Sequence, residues 1–473
     1  MGLLFGTDGI RGAAGRELTA GLAMDVAAAA AGVLTGPAAA AAESADSSDI
    51  ERRQRPFAVV GRDPRASGEF LEAAVVAGLA ASGVDVVRLG VMPTPGVAHL
   101  TAAMGAEFGV MLSASHNPAP DNGIKIFARG GVKLPDAVEF EIEARLAQSR
   151  DASSGNHGPV GVPAAGFGRV TDAADASEAY LDHLLGTLRE RSDSPAAPLA
   201  GLRVVVDCAN GAAARFAPDL LRRAGAQVTA IGAEPDGLNI NEDVGSTCIA
   251  TLSAAVVAAG ADAGIAHDGD ADRCLAVDAS GQVVDGDQIL AVLAMSLKAE
   301  QRLAGDTVVA TVMSNLGFRD AMREAGIEVV ETPVGDRYLI AAMLEGKYVL
   351  GGEQSGHVVM LDHATTGDGM LTGLHLLAEV ARQDRPLAEV ASLMTRYPQV
   401  LISVPGVDKG RVTTSERLAA AIAAAEAELG DSGRVLVRPS GTEPAVRVMV
   451  EAAEATQAER LAGTLADAIR AVG

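Results

Sequence analysis

The stretch that decides the fold runs from Arg203-Val-Val-Val-Asp207, through Ala224-Gly225, into Gln227-Val-Thr-Ala-Ile-Gly232. It reads as an apolar strand, a loop, an amphipathic helix, a Gly and a second β-branched strand. The Gly falls where a helix end needs a left-handed residue before the chain reverses. The same pattern stands at Ala58-Val-Val-Gly61, through Ser82-Gly83, into Val84-Asp-Val-Val-Arg-Leu-Gly90. It returns at Thr307-Val-Val-Ala-Thr311, through Ala325-Gly326, into Ile327-Glu-Val-Val-Glu331. Strands alternating with helices of this length imply parallel sheets built from right-handed crossovers. The copies lie too far apart for a solenoid, so they predict three related α/β domains. The last 80 or so residues differ. Val400–Val404, a helix over 415–429, Val435–Val437, Val446–Val450 and a helix over 456–472 predict a smaller α+β domain.

Composition narrows the function. The chain has 473 residues, 38 basic and 61 acidic side chains and a net charge of −23. That charge repels a phosphate backbone, and an aromatic content of 3% without Trp leaves few stacking platforms, so nucleic acid is excluded as a partner. Small anionic substrates stay open if cations gather in one cleft. Three Cys, at 208, 248 and 274, support neither a disulfide framework nor a zinc cluster. The N-terminus lacks a basic n-region and fails the myristoylation pattern at Gly6. The most apolar stretch, Ala23–Ala42, is broken by Asp25, Gly32, Gly36 and Pro37, so no membrane span is expected. The chain reads as soluble, reduced and cytoplasmic, with homo-oligomers left open. Gly36–Pro56 reads as an exposed insertion. Only five of the basic residues are Lys (125, 133, 298, 347 and 409), which draws attention to any Lys inside a motif.

Five segments could carry chemistry. In Ala266-His-Asp-Gly-Asp-Ala-Asp-Arg273, Asp268, Asp270 and Asp272 alternate between two apolar strands. Extended backbone would place all three carboxylates on one side, where only a cation makes their repulsion tolerable. Oxygen-only ligands select a hard ion, Mg²⁺ first. An EF-hand fails, since Arg273 and Ala279 stand where its Gly and Glu belong. In Met111-Leu-Ser-Ala-Ser-His-Asn-Pro118, Ser115 beside His116 offers an activated nucleophile or a phosphate carrier. Lys125 nearby could neutralise a phosphoryl group or move a proton. Arg438-Pro-Ser-Gly-Thr-Glu-Pro444 has the parts of a phosphate cradle, a guanidinium, two hydroxyls and a close-approach Gly. Glu353 and Ser355, in Gly351-Gly-Glu-Gln-Ser-Gly-His357, suit sugar hydroxyls. Phe5-Gly-Thr-Asp-Gly-Ile-Arg-Gly12 places Arg11 in a loop where Asp8 reads as a helix-entry cap. The remaining His residues (99, 157, 183, 363 and 375) read as structural or exposed.

Taken in chain order, from the Arg11 loop through the Ser115, Asp-triplet and Glu353 loops to the Arg438 loop, the five segments resemble the α-D-phosphohexomutase superfamily over essentially the whole chain. Within it, Gly6–Gly12, Glu353–His357 and Ser440–Pro444 are most similar to the bacterial phosphoglucosamine mutase family. That resemblance implies interconversion of glucosamine 6-phosphate and glucosamine 1-phosphate, on the way to UDP-N-acetylglucosamine and cell-wall precursors. It implies a phosphoserine at Ser115, and Mg²⁺ held by Asp268, Asp270, Asp272 and an oxygen on Ser115. Arg11, His116 and Lys125 become candidates for proton transfer and charge stabilisation. Glu353 and Ser355 would bind sugar hydroxyls. Arg438, Ser440, Gly441 and Thr442 would hold the phosphate that is not reacting. The implied architecture is three similar α/β domains with mixed or parallel sheets plus a smaller α+β domain around a central cleft. Here that gives 1–175 with the phosphoserine loop, 176–279 with the metal loop, 280–392 with the sugar loop, and 393–473 as a lid. Ala271 stands where Gly is commoner, harmless if its φ is negative. A phosphomannomutase or phosphoglucomutase is the nearer alternative and a metal-dependent sugar-phosphate phosphatase the more distant one.

Overall fold

The computed structural model describes residues 4–6, 8–36, 55–151, 166–173, 175–189, 197–439 and 445–473. Most of the expected insertion, residues 37–54, lies outside them. The first sheet holds β1 (Ile10–Ala13), β2 (Phe57–Arg62), β3 (Asp85–Val91), β4 (Phe108–Leu112), β5 (Asp121–Ala128), β6 (Val132–Lys133) and β7 (Val170–Asp172). Their order is β1-β5-β4-β2-β3-β7, with β6 on β5. The second holds β8 (Arg203–Asp207), β9 (Gln227–Ile231), β10 (Ala263–Ala266), β11 (Leu275–Asp278) and β12 (Val283–Val284), ordered β12-β11-β10-β8-β9. The third holds β13 (Thr307–Thr311), β14 (Glu328–Thr332), β15 (Leu350–Gly352) and β16 (Val358–Met360), ordered β14-β13-β15-β16. β17 (Gln399–Pro405), β18 (Gly433–Pro439) and β19 (Ala445–Ala452) make a small antiparallel sheet ordered β17-β19-β18.

The repeat is present as read. β2 pairs β3 and β8 pairs β9, both in parallel. Gly83, Gly225 and Gly326 have φ of 87°, 103° and 65°, so each supplies the left-handed residue that lets a helix hand over to a strand. The sheets are mixed, however, not purely parallel. In each domain a parallel strand is followed by an antiparallel neighbour: β4 by β5, β10 by β11, β15 by β16. Antiparallel neighbours can be joined by a short connection, whereas parallel ones need a crossover. Each of these three short connections carries one of the candidate loops.

The Ala-rich stretch that cannot cross a bilayer forms the helix Ala20–Leu34, capped by Thr19 Oγ1. Its buried face of Ala23, Ala27, Ala30 and Ala31 joins Leu71, Val75 and Leu79 of the helix Ser67–Ala81 in one core. At Gly78 a Cβ would come within 2.4 Å of the Met24 carbonyl, so small residues set this close packing. Among the described residues no helix is long and apolar enough to cross a membrane.

The chain forms two compact units, residues 1–312 with 330–391, and residues 313–329 with 392–473. The second unit is organised by Glu451, fully buried on β19. Its carboxylate accepts from Arg434, Asn315 Nδ2, Gln399 Nε2 and the Leu316 backbone N–H. Asn315 in turn caps the helix Leu316–Glu324 and donates to the Tyr397 carbonyl. One carboxylate thus ties a helix start to the strands of the small sheet. Glu451→Ala is expected to destabilise this unit by about 3 kcal/mol, because its donors are partly or wholly buried. A urea titration read by circular dichroism checks this, with Glu451→Gln falling between the two.

Candidate active site

The connection from β4 to β5 carries Ser115, which is buried and has a φ of 52°. A non-glycine residue in the left-handed region costs roughly 1–3 kcal/mol and persists only where its surroundings over-determine it. Here they do. The Ser115 carbonyl accepts from Arg65 Nη2 at 2.9 Å and from Asn241 Nδ2 at 3.0 Å. The Ser115 N–H donates to Ser113 Oγ, and Ser113 Oγ donates to Asp63. Arg65 is fully buried and spends all of its N–H donors on this loop and its anchor. Nε reaches Asp63, Nη1 the Pro118 and Asp121 carbonyls, and Nη2 those of Ser115 and Asn117. A planar guanidinium can serve several fixed acceptors at once, which an ammonium cannot.

The connection from β10 to β11 brings the triplet to the same place. Ser115 Oγ donates to Asp268 Oδ2 at 2.6 Å, while His116 Nδ1 lies 3.4 Å away. The close partner of the hydroxyl is therefore Asp268, not His116 as the sequence suggests. Gly269 packs flush on this loop, since a Cβ there would stand 2.6 Å from the Ser115 carbonyl. The three Asp residues do converge, with one oxygen from each within 4.8 Å of the others, and all three are buried. Their backbone is a turn rather than the expected extended run, closed by the Ala271 N–H on the Asp268 carbonyl. Ala271 has a φ of 59°, so the expectation of a negative φ is overturned and this residue is strained. Its carbonyl accepts from the Gly369 N–H, which helps hold it there.

These residues fit a divalent cation. Asp270 Oδ1 and Asp272 Oδ1 are buried without a hydrogen-bond partner, and an all-carboxylate set favours a hard ion. Thr94, at the start of the helix Thr94–Ala103, donates its hydroxyl to Asp270 Oδ2 (2.6 Å) and its N–H to the Asp270 backbone carbonyl (3.0 Å). Burial, reinforced by Asp272 and Asp270, pushes the Asp268 carboxyl well above the usual range. At Asp272 burial also favours the proton, but Lys125, His357 and Arg273 outweigh it and hold the group low.

The cations converge as expected, through a residue read only as a cap. Asp8 does not cap the first helix; Thr19 does. Instead Asp8 Oδ2 takes Arg11 at 2.5 Å and Lys125 at 2.8 Å, and Asp8 Oδ1 takes Lys133 at 2.7 Å. Burial would raise the Asp8 pKa, yet Lys125, Lys133 and Arg11 together hold it well below the usual range. Lys125 also reaches Asp270 at 2.8 Å and Asp272 at 3.5 Å. Burial alone would lower its pKa, and the three carboxylates raise it instead, so it stays an ammonium. His116 goes the other way, with burial and then Arg273 and Arg11 lowering it to about 4. Arg11 Nη1 donates to the Ala114 carbonyl and so touches the Ser115 loop directly.

The connection from β15 to β16 holds Glu353 and Ser355. Ser355 Oγ donates to Glu353 Oε2 at 3.2 Å, and the Gly335 N–H donates to Glu353 Oε1 at 3.1 Å. Arg438 lies on β18, opposite Arg447. Ser440, Gly441 and Thr442 lie outside the described residues. Arg65, Asn241, Thr94, Lys133 and His357 were missed by the sequence reading. Lys133 left a trace there as one of five Lys in the chain, and His357 as the last residue of the Gly351–His357 motif.

Models of the phosphoglucomutase/phosphomannomutase alpha/beta/alpha domains I, II and III match residues 2–153, 178–281 and 285–397, and the C-terminal domain matches 401–468. A phosphoglucosamine mutase of Thermobifida fusca is 62% identical, covering 99% of this chain and 98% of its own. One of Streptomyces avermitilis is 60% identical, covering 99% of each. A solved phosphoglucomutase/phosphomannomutase family protein of Burkholderia thailandensis shares the fold, with a TM-score of 0.79 at 24% identity and coverage of 99% and 97%. The chain belongs to the phosphoglucomutase/phosphomannomutase family, on its phosphoglucosamine mutase branch, and is an isomerase of the intramolecular phosphotransferase type.

Two substitutions probe the strained loops. Arg65→Lys keeps the charge but cannot reach the same acceptors. It is expected to lower kcat at least about tenfold, or ~1.4 kcal/mol, together with the melting temperature. Ala271→Gly is expected to relieve the left-handed strain and stabilise the fold by up to about 1 kcal/mol. Differential scanning calorimetry on both variants, with turnover assays, checks these outcomes.

Proposed function

We propose that this enzyme interconverts glucosamine 6-phosphate and glucosamine 1-phosphate, with Ser115 as the phosphoryl carrier. The observation that carries the assignment is Ser115 Oγ, buried and 2.6 Å from Asp268 within a triad of carboxylates. A hydroxyl in that position can hold a phosphoryl group whose oxygens would share a divalent cation with Asp268, Asp270 and Asp272. Such an ion, Mg²⁺ by its preference for oxygen ligands, would neutralise charge on the phosphoryl oxygens. Identity of about 60% across the whole chain to curated phosphoglucosamine mutases supports the amino-sugar substrate.

Catalysis here is positioning and electrostatics, as in other phosphoryl transfers. Substrate O1 loses its proton as its bond to phosphorus forms, and Ser115 Oγ takes one up as its own bond to phosphorus breaks. The bound bisphosphate then turns, and its 6-phosphoryl group returns to Ser115 Oγ as O6 regains a proton. Arg11 and Lys125 stay cationic and stabilise charge on the moving group. His116, 3.4 Å from Ser115 Oγ, is the neutral group beside the reacting oxygen and is assigned the proton exchange. Glu353 and Ser355 face the sugar hydroxyls, and Arg438 with Ser440, Gly441 and Thr442 receives the resting phosphate. We place the domain boundaries near 175, 279 and 392, where the matched family domains run 2–153, 178–281, 285–397 and 401–468. The enzyme is placed in the cytoplasm with its small-molecule substrates.

Ser115→Ala is expected to remove at least about 99% of kcat, a loss of ~2.7 kcal/mol or more, without loss of fold. In the fully phosphorylated wild type, kcat/KM should fall in the order glucosamine, glucose, mannose 6-phosphate. A site that pairs the C2 amine leaves a buried acceptor unsatisfied when glucose binds. A higher value for glucose or mannose would overturn the substrate, and stoichiometric phosphate release would overturn the mutase mechanism.

A further inference from the structure

The contacts of Lys133 lie outside the roles assigned above. It sits on β6, with 18% of its side chain exposed, between two carboxylates that come from distant parts of the chain. Its Nζ is 2.7 Å from Asp8 Oδ1 and also paired with Asp336, the first residue of the helix Asp336–Gly346. Asp8 uses its other oxygen for Arg11 and Lys125. Anchoring one oxygen of a carboxylate sets where the other points, so Lys133 determines where Asp8 holds those two cations. Asp336 is itself fixed. Its neighbour Arg337 pairs with Asp136 and Glu139 and donates to the Gly6 carbonyl. On the other side, the Gly335 N–H donates to Glu353 Oε1. One turn, Gly335-Asp336, therefore touches the sugar loop directly and reaches the cations beside Ser115 through Lys133 and Asp8.

We propose that Lys133 and Asp336 are positioning residues for phosphoryl transfer, acting through Asp8 to orient Arg11 and Lys125. The inference rests on the roles given above to those two cations. Its energetic logic is that of a buried charge relay. Removing Lys133 frees Asp8 to rotate, and Lys125 then settles wholly on Asp270 and Asp272. That misplaces charge in the transition state more than it weakens substrate binding, so the loss should fall on kcat.

The test is steady-state kinetics on the full-length, phosphorylated enzyme at saturating Mg²⁺, with Lys133→Met, Lys133→Arg, Asp336→Asn and the double variant Lys133→Met/Asp336→Asn. Lys133→Met is expected to lose about 10–100-fold in kcat with KM within about threefold. Lys133→Arg, whose fork can still span two carboxylates, should recover to within about threefold of wild type. The double variant should be no worse than Lys133→Met alone, because both changes break one relay. Melting curves accompany each variant, and should Lys133→Met unfold early, Lys133→Gln and Asp336→Asn provide the same readouts. Unchanged kcat, a loss confined to KM, no rescue by Arg, or losses that multiply would each overturn the proposal. Wild-type turnover in the same assay reports on the mutase reading, and the variant-to-wild-type ratio reports on positioning, so the two can fail separately.

Discussion

Three carboxylates held within 4.8 Å of one another, all buried, are the constraint from which the rest of this site follows. Like charges so close and so poorly solvated repel strongly, and a fold can keep them together only by surrounding them with donors and cations. Thr94 Oγ1 donates to the Asp270 carboxylate, Ser115 donates to Asp268, and Lys125 reaches Asp270 and Asp272. The same crowding leaves two carboxylate oxygens without a hydrogen-bond partner, a donor set that suits a divalent ion.

Compensation propagates outward from there. Lys125, drawn in by the triplet, must share itself with Asp8, and Asp8 collects Arg11 and Lys133 in turn. Charges alternate in sign along this path, so each is stabilised by the next and none stands alone in a low-dielectric interior. The path ends at Asp336, beside the turn that supports Glu353. The Ser115 and Glu353 loops are therefore joined by a continuous chain of packed ion pairs and hydrogen bonds.

Backbone strain is present in both of the loops that meet. Ser115 and Ala271 both occupy the left-handed region, and each is held by hydrogen bonds from outside its own loop. The shared architecture explains why such loops can be built in one place. In each α/β domain a parallel strand turns into an antiparallel neighbour, and the short connection between them presents its side chains beyond the strand ends. A repeated fold thus offers three equivalent platforms, each carrying a different set of polar side chains.

Sequence alone determined the three α/β repeats, because strand–helix–Gly–strand periodicity is a local property and the left-handed glycines at 83, 225 and 326 are local requirements. It also determined the Asp triplet, Ser115 and Lys125, since the residue types that such chemistry needs stand close together in short motifs. Arg65, Asn241, Lys133 and Thr94 were decided only by the tertiary structure. Arg65 lies 50 residues from the Ser115 carbonyl it holds, and no spacing rule connects them. Asp8 looked like a helix cap because its neighbours in sequence are a turn and a helix; its partners in space are Lys125 and Lys133. Backbone angles were equally hidden. Whether Ala271 is relaxed or strained depends on how its turn is closed and held, by contacts to Asp268 and Gly369 that the sequence does not specify. Local pattern names the candidate groups, while the side chains that hold them are set by long-range packing, where burial makes each hydrogen bond costly to lose.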